Sequence, residues 1–177
     1  MPDYKALLVD RLWALIRVPP LTTAGSPAYV PARNMIDDRD PDQQLREAVG
    51  GSAADASPRI RITSGRFTHS AYRRDTSFGS EDGTDDGQPV RRVLRPAVEI
   101  LSGELLVGRQ DVIEEAVQLA ILAGGPDLGL SVVVPCEWEI EGTQEQLPTV
   151  RGADWCRLRT RLVLTIPIED SVRNMLA

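Results

Sequence analysis

The last third of the chain is the part that most restricts its fold, because it reads as one long β-hairpin. Residues 132–141 run Val-Val-Val-Pro-Cys-Glu-Trp-Glu-Ile-Glu, and residues 157–168 run Arg-Leu-Arg-Thr-Arg-Leu-Val-Leu-Thr-Ile-Pro-Ile. Side chains alternate across a strand, so Val132, Val134, Cys136, Trp138 and Ile140 share one face, and Glu137, Glu139 and Glu141 take the other. In the second strand Leu158, Leu162, Leu164, Ile166 and Ile168 share a face, with Arg157, Arg159 and Arg161 opposite. Folding the pair about a midpoint near Thr149 sets Glu137 against Arg161, Glu139 against Arg159 and Glu141 against Arg157. Opposite charges directly across a ladder contribute roughly 0.2–1 kcal/mol each. A slip of one residue would turn the apolar stripe to water. The polar face is therefore a ladder of paired charges, suited to solvent or to another subunit.

A chain of 177 residues with 42% hydrophobic content supports one domain with a substantial core. A formal charge of −6 argues against gripping nucleic acid as its main task. No apolar stretch is long enough to span a bilayer, and the N-terminus lacks a signal-peptide layout. The two cysteines, Cys136 and Cys156, are too few for a disulfide framework. In the register above Cys136 lies opposite Leu162, away from Cys156, so both are expected as free thiols.

Upstream, residues 3–17 carry Leu8, Leu12, Leu15 and Ile16 at helical spacing, and Pro19-Pro20 ends that helix. An irregular, proline-punctuated segment, 18–57, follows and reads as an extended arm, with a short helix at Asp42–Val49. A strand at 58–68 has a bulge at Gly65. An acidic loop at 75–87 precedes a strand at about 91–102, where Pro96 calls for an edge position or a bulge. Residues 108–123 repeat apolar positions every three to four residues and form the second helix, closed by Gly124-Gly125-Pro126. The predicted architecture is α+β. Its order is α-β-β-α-β-β, an antiparallel-rich four-stranded sheet with two helices packed on one face. One domain covers residues 1–177.

A catalytic constellation is hard to assemble from these residues. The single histidine, His69, has no local group to orient it as a base and reads as an exposed loop residue. One histidine and two cysteines do not make a zinc site. The acidic loop lacks the ligand alternation of a calcium loop. Gly103–Gly108 has phosphate-loop glycine spacing but no Lys-Ser/Thr after it, so it reads as a strand-to-helix turn. No metal, cofactor or reaction is expected. Trp138 belongs on the apolar hairpin face, and Trp155, in a polar stretch, reads as an interface residue.

Three stretches carry a resemblance: the helix Tyr4–Arg17, the strand Pro58-Arg-Ile-Arg-Ile-Thr-Ser-Gly-Arg-Phe67, and the run from Val90 through Ile168. In element order and hydrophobic pattern the chain resembles the tail terminator proteins of long-tailed bacteriophages, also called tail completion or tail-to-head joining proteins. The likeness spans most of the chain outside 18–57 and carries no signature motif.

The resemblance implies a small α/β subunit that closes into a hexameric ring and catalyses nothing. Such a ring caps the finished tail tube, ends its polymerisation and meets the head-completion or neck protein. In a contractile system it also meets the tail sheath. DNA passes through the bore without specific binding, and the protein resides in the virion after assembly in the host cytoplasm. On that reading Glu137, Glu139, Glu141, Arg157, Arg159, Arg161 and Trp155 are subunit-interface candidates. Asp75, Glu81, Asp82, Asp85 and Asp86 are candidates for a loop at the lumen or a ring face, and the arm at 18–57 reaches a neighbour. The runner-up is another neck or tail component, such as a head–tail connector or a tube or baseplate subunit. A small peptide-binding α/β module or an enzyme ranks below both.

Overall fold

The computed structural model describes residues 4–39, 58–71, 89–103, 107–126, 128, 138–147 and 157–171. Its elements are helix α1 (Tyr4–Ile16) and a single 3-10 turn (Ala32–Asn34), then strands β1 (Met35–Asp37), β2 (Arg59–Thr63), β3 (Phe67–Ala71), β4 (Pro89–Leu94) and β5 (Ala97–Gly103). Helix α2 (Val107–Leu122) and strands β6 (Glu139–Leu147) and β7 (Arg157–Ser171) complete the chain order. The sheet runs β1-β2-β5-β7-β4-β3, with β6 paired to the other edge of β7. All pairings are antiparallel except β1 on β2. The α+β class holds. The sheet has seven described strands where four were expected.

Most of that difference comes from two bends at one level. β2 and β3 are the halves of the single strand expected at 58–68, and β4 and β5 are the halves of the one at 91–102. Thr63 pairs with Ala97 and Phe67 with Leu94, so residues 64–66 stand opposite only 95–96. That is a bulge of one residue on the β2–β3 strand. Gly65 adopts a left-handed φ of +70°, and a Cβ there would lie 1.9 Å from the Arg95 carbonyl oxygen. Only glycine fits this close approach. Pro96 sits on the facing bend. Its strand is interior rather than at an edge, flanked by β2–β3 and β7. The missing proline N–H falls where the ladder is interrupted, while the Pro96 carbonyl still accepts from Leu164 N at 3.0 Å. β7 runs unbroken past both halves, with Val163 opposite Ala97 and Ile166 opposite Leu94.

One face of the sheet carries Ile60, Ile62, Leu94, Val98, Ile100, Leu162, Leu164 and Ile166, all buried. Both helices pack on it: α1 lies against β2, and α2 against β5 and β7. Leu8, Leu12 and Ile16 of α1 join Ile113, Val117 and Ile121 of α2 in one core. The helix spacing predicted these faces, and Val9 and Trp13 add to the first of them.

The segment 18–57 divides. Its part up to residue 39 is not a free arm, because Leu21, Ala28, Val30, Met35 and Ile36 are buried in the body of the domain. Val30 N donates to Leu21 O at 2.9 Å, and Asn34 Nδ2 donates to Pro58 O at 3.0 Å, pinning the segment to the start of β2. The rest, with the expected helix at Asp42–Val49, lies outside the described residues. Arg39 then ties β1 to α1. Its Nε and Nη2 grip both oxygens of Asp37 at 2.9 and 2.6 Å, and Nη2 also reaches Asp10 at 2.7 Å. The Arg39 hydrogen bonds hold the Asp37 carboxyl below its ordinary value.

Candidate interaction surface

The other face of the sheet follows from the same alternation. Arg59, Arg61, Glu99, Leu101, Arg159, Arg161 and Val163 occupy positions between the buried ones, and each is partly or fully exposed. Across the strands they form rows, because partners at one register level point the same way. One row runs Arg61, Glu99, Arg161, Thr143 and the next Arg59, Leu101, Arg159, Glu145. Arg161 Nε lies 3.6 Å from Glu99, Arg159 pairs with Glu145, and Arg61 pairs with Asp38 beyond β2. Arg61, Arg159 and Arg161 are thus each answered by a carboxylate.

The expected ladder of Glu137–Arg161, Glu139–Arg159 and Glu141–Arg157 is not formed, because the register differs. Glu139 faces Thr165, Glu141 faces Val163, and Glu145 rather than Glu139 faces Arg159. Arg161 finds its carboxylate on the opposite neighbour, at Glu99. Glu145, six residues beyond Glu139, takes the place expected for Glu139 opposite Arg159, so the register has slid by six. An even slide leaves every side chain on its predicted face. For the same reason Leu162 stands opposite Gly142 rather than Cys136. A Cβ on Gly142 would lie 3.3 Å from Leu162 and 3.4 Å from Glu114 of α2, so β6 passes close beneath that helix.

β6 forms the edge of this surface. Residues 141–146 are all exposed. Among the described residues no strand pairs with its outer side. Trp138, just before it, packs against the core and donates Nε1 to Gly125 O at 3.0 Å, as its place on the apolar face predicted. Arg157 lies in β7 opposite Leu147. Glu137, Trp155, both cysteines and the loop residues Asp75, Glu81, Asp82, Asp85 and Asp86 lie outside the described residues. His69 is within β3, opposite Arg92, rather than in a loop.

Sequence reasoning missed a polar cluster inside the domain. Gln110, on the buried stripe of α2 with Ile113, Val117 and Ile121, is 0% exposed. It accepts from Ser102 Oγ and donates Nε2 to Thr160 Oγ1 at 2.8 Å. A polar residue on an otherwise apolar helical stripe was the available signal. The cluster joins α2 to β5 and β7 and has no opening to solvent, which suits positioning rather than chemistry. A hollow of about 520 Å³ lies between residues 25–29 and the start of α2. Among the described residues its one charged lining residue is Arg109, which donates Nη2 to Tyr29 O at 2.9 Å. Among the described residues no three metal-ligating side chains cluster, and no helix is long and apolar enough to cross a membrane. No protein-family model matches the chain, and no curated protein matches it.

Proposed function

We propose that this chain is a structural subunit of a phage tail, of the terminator kind. In this reading copies close into a ring that caps the tail tube, stops its growth and joins it to the head while DNA passes through. The observation that supports it best is the exposed sheet face. It is broad, three of its arginines are paired with carboxylates, and its described residues bring no acid, base and nucleophile together. Such a face suits contact with other subunits. A closed ring needs one heterologous interface repeated by rotation. The net charge of −6 agrees with a bore that does not hold phosphates. The two helices on one face of an antiparallel-rich sheet agree with the architecture that the resemblance implies.

The test is mass by light scattering at low and moderate salt, with negative-stain images of the same fractions, followed by addition to pre-formed tails. Rings of about six subunits that sit on one tube end and stop further polymerisation are the expected result (ring closure follows from a repeated heterologous contact). Protein that ignores tube ends sinks the proposal.

A further inference from the structure

The large apolar side chains that stand exposed among the described residues all belong to the helix layer. Leu7 and Val18 lie on α1 or just past its end, and Val112, Leu119 and Leu122 lie on α2. Ile113, Val117 and Ile121 turn toward the sheet, so helical spacing points Val112, Leu119 and Leu122 outward as one stripe. Leu119 and Leu122 are more than half exposed. On α1, Leu8, Leu12 and Ile16 are buried, and Leu7 and Ala14 share the outward side. Leu15 packs against Gly124 at the end of α2, which sets the two stripes side by side on one surface. An apolar patch of this kind marks a contact surface.

The charges beside the two stripes are of opposite sign. On α1 they are Arg11 and Arg17, since Asp10 is already held by Arg39. On α2 they are Asp111 and Glu115, both exposed. None of these four is in an ion pair among the described residues. Both guanidiniums are nonetheless held in place. Arg11 donates Nε to Leu128 O at 2.6 Å, and Arg17 lies 4.6 Å over the Trp13 ring. A side chain positioned in advance loses little freedom when it meets a carboxylate. Two copies can join these faces about a two-fold axis in either of two ways. An axis across the helices sets α1 on α1 and α2 on α2, like charge on like. An axis running between them, in the plane of the face, sets α1 of each copy on α2 of the other, arginine toward carboxylate. The apolar stripes meet in both arrangements, and the charges select the second.

We infer that the helix face is a contact between two copies of this chain, a two-fold pair in which α1 of each lies on α2 of the other. Leu119 and Leu122 supply the apolar burial, and the arginines and carboxylates beside the stripes set the orientation. The inference goes beyond the ring reading, which uses the sheet face. The two contacts lie on opposite faces of the domain, so either can exist without the other.

The experiment follows the mass of the full-length protein by light scattering at low salt as its concentration is lowered. Wild type is expected to hold an even number of chains. Leu119→Asp, which sets a charge in the stripe, should halve that mass or raise the concentration for half-association on the order of a hundredfold. Two further variants test the orientation. Ala14→Glu with Arg17→Glu makes both helix faces acidic, and Asp111→Lys with Glu115→Lys makes both basic. Each alone should pair on the order of tenfold more weakly, and an equimolar mixture should recover wild-type pairing. Far-ultraviolet circular dichroism and a cooperative melt show that a variant is folded. Should a double variant unfold, Ala14→Glu and Glu115→Lys carry the test singly. A monomeric wild type, a Leu119→Asp protein of unchanged mass, or a mixture that stays apart each overturns the inference. A wild type that is monomeric until it meets a tube end, and that Leu119→Asp keeps from binding there, assigns the face to a tail protein. That result overturns the pair and leaves the ring reading standing. Pairs that ignore tube ends do the reverse.

Discussion

Replacing Gln110 with leucine tests the claim that one polar cluster sets how α2 sits on the sheet. Leucine keeps the approximate volume, so the change removes hydrogen bonds with little new cavity. Ser102 and Thr160 would be left at 4% and 1% exposure without the amide that serves both. A buried hydroxyl without a partner costs about 1–3 kcal/mol. Two such groups, with some relief from rotation toward nearby carbonyls, give a loss of about 2–4 kcal/mol. For a domain of this size that corresponds to a fall in Tm of roughly 4–16 °C. Urea unfolding followed by circular dichroism should show a lower midpoint with an unchanged slope. The companion variant Gln110→Leu, Ser102→Ala, Thr160→Val removes all three polar groups and should recover most of the loss, since an apolar cluster leaves nothing unsatisfied. A single variant within about 0.5 kcal/mol of wild type, the scatter of an ordinary surface change, would refute the reasoning. So would a triple variant less stable than the single.

Three further outcomes are expected. Gly65→Ala should destabilise by more than about 3 kcal/mol, because it adds a backbone clash to a left-handed φ, whereas Gly25→Ala, also left-handed but in open space, should cost only about 1 kcal/mol. Thermal melts of the pair separate the clash from the conformational strain. The Asp37 carboxyl is held low by Arg39, so its contribution to stability is complete above its ordinary value of 3.8 and is lost as pH falls through the lower folded value. Asp37→Asn should therefore flatten the acid limb of a stability–pH profile below about pH 4 and lower stability at neutral pH. With Arg39 37% exposed, the effect is about 1 kcal/mol or less. Trp138→Phe removes the bond to Gly125 O and should cost about 1 kcal/mol, read from the urea midpoint.

Which side chains face the core was legible in the sequence, and which residues face one another was not. Leu162, Leu164 and Ile166 alternate with polar residues strongly enough to fix their face, and the stripe Ile113, Val117, Ile121 does the same for α2. The hairpin register depended on where the turn falls, and the apolar run 132–138 drew the first strand upstream of its described position. The paired strand instead continues through Gly142-Thr-Gln-Glu-Gln146, an exposed edge that shows no apolar alternation because only Ile140 and Leu147 are partly covered. Gly65 and Pro96 were each readable as an interruption. That they interrupt neighbouring strands at one level is a fact of pairing. Leu21 and Val30 reach the core from between prolines, where no period exists to reveal them. That the exposed face is charged was visible in advance, but its actual pairs, Glu145 with Arg159 and Glu99 with Arg161, required the register and the order of the strands.

β7 is the fifteen-residue strand against which β4, β5 and β6 all align, and it follows the other six in chain order. During synthesis the helices and the β2–β3 and β4–β5 pairs emerge without the strand that joins them to β6. At about 5–20 residues per second, the interval from β2 to the end of β7 is roughly 5–25 s. Throughout that time β4, β5 and β6 lack the strand on which all three align, so the sheet cannot be completed piecemeal. Its two flanks are joined in a single step, when β7 arrives between them.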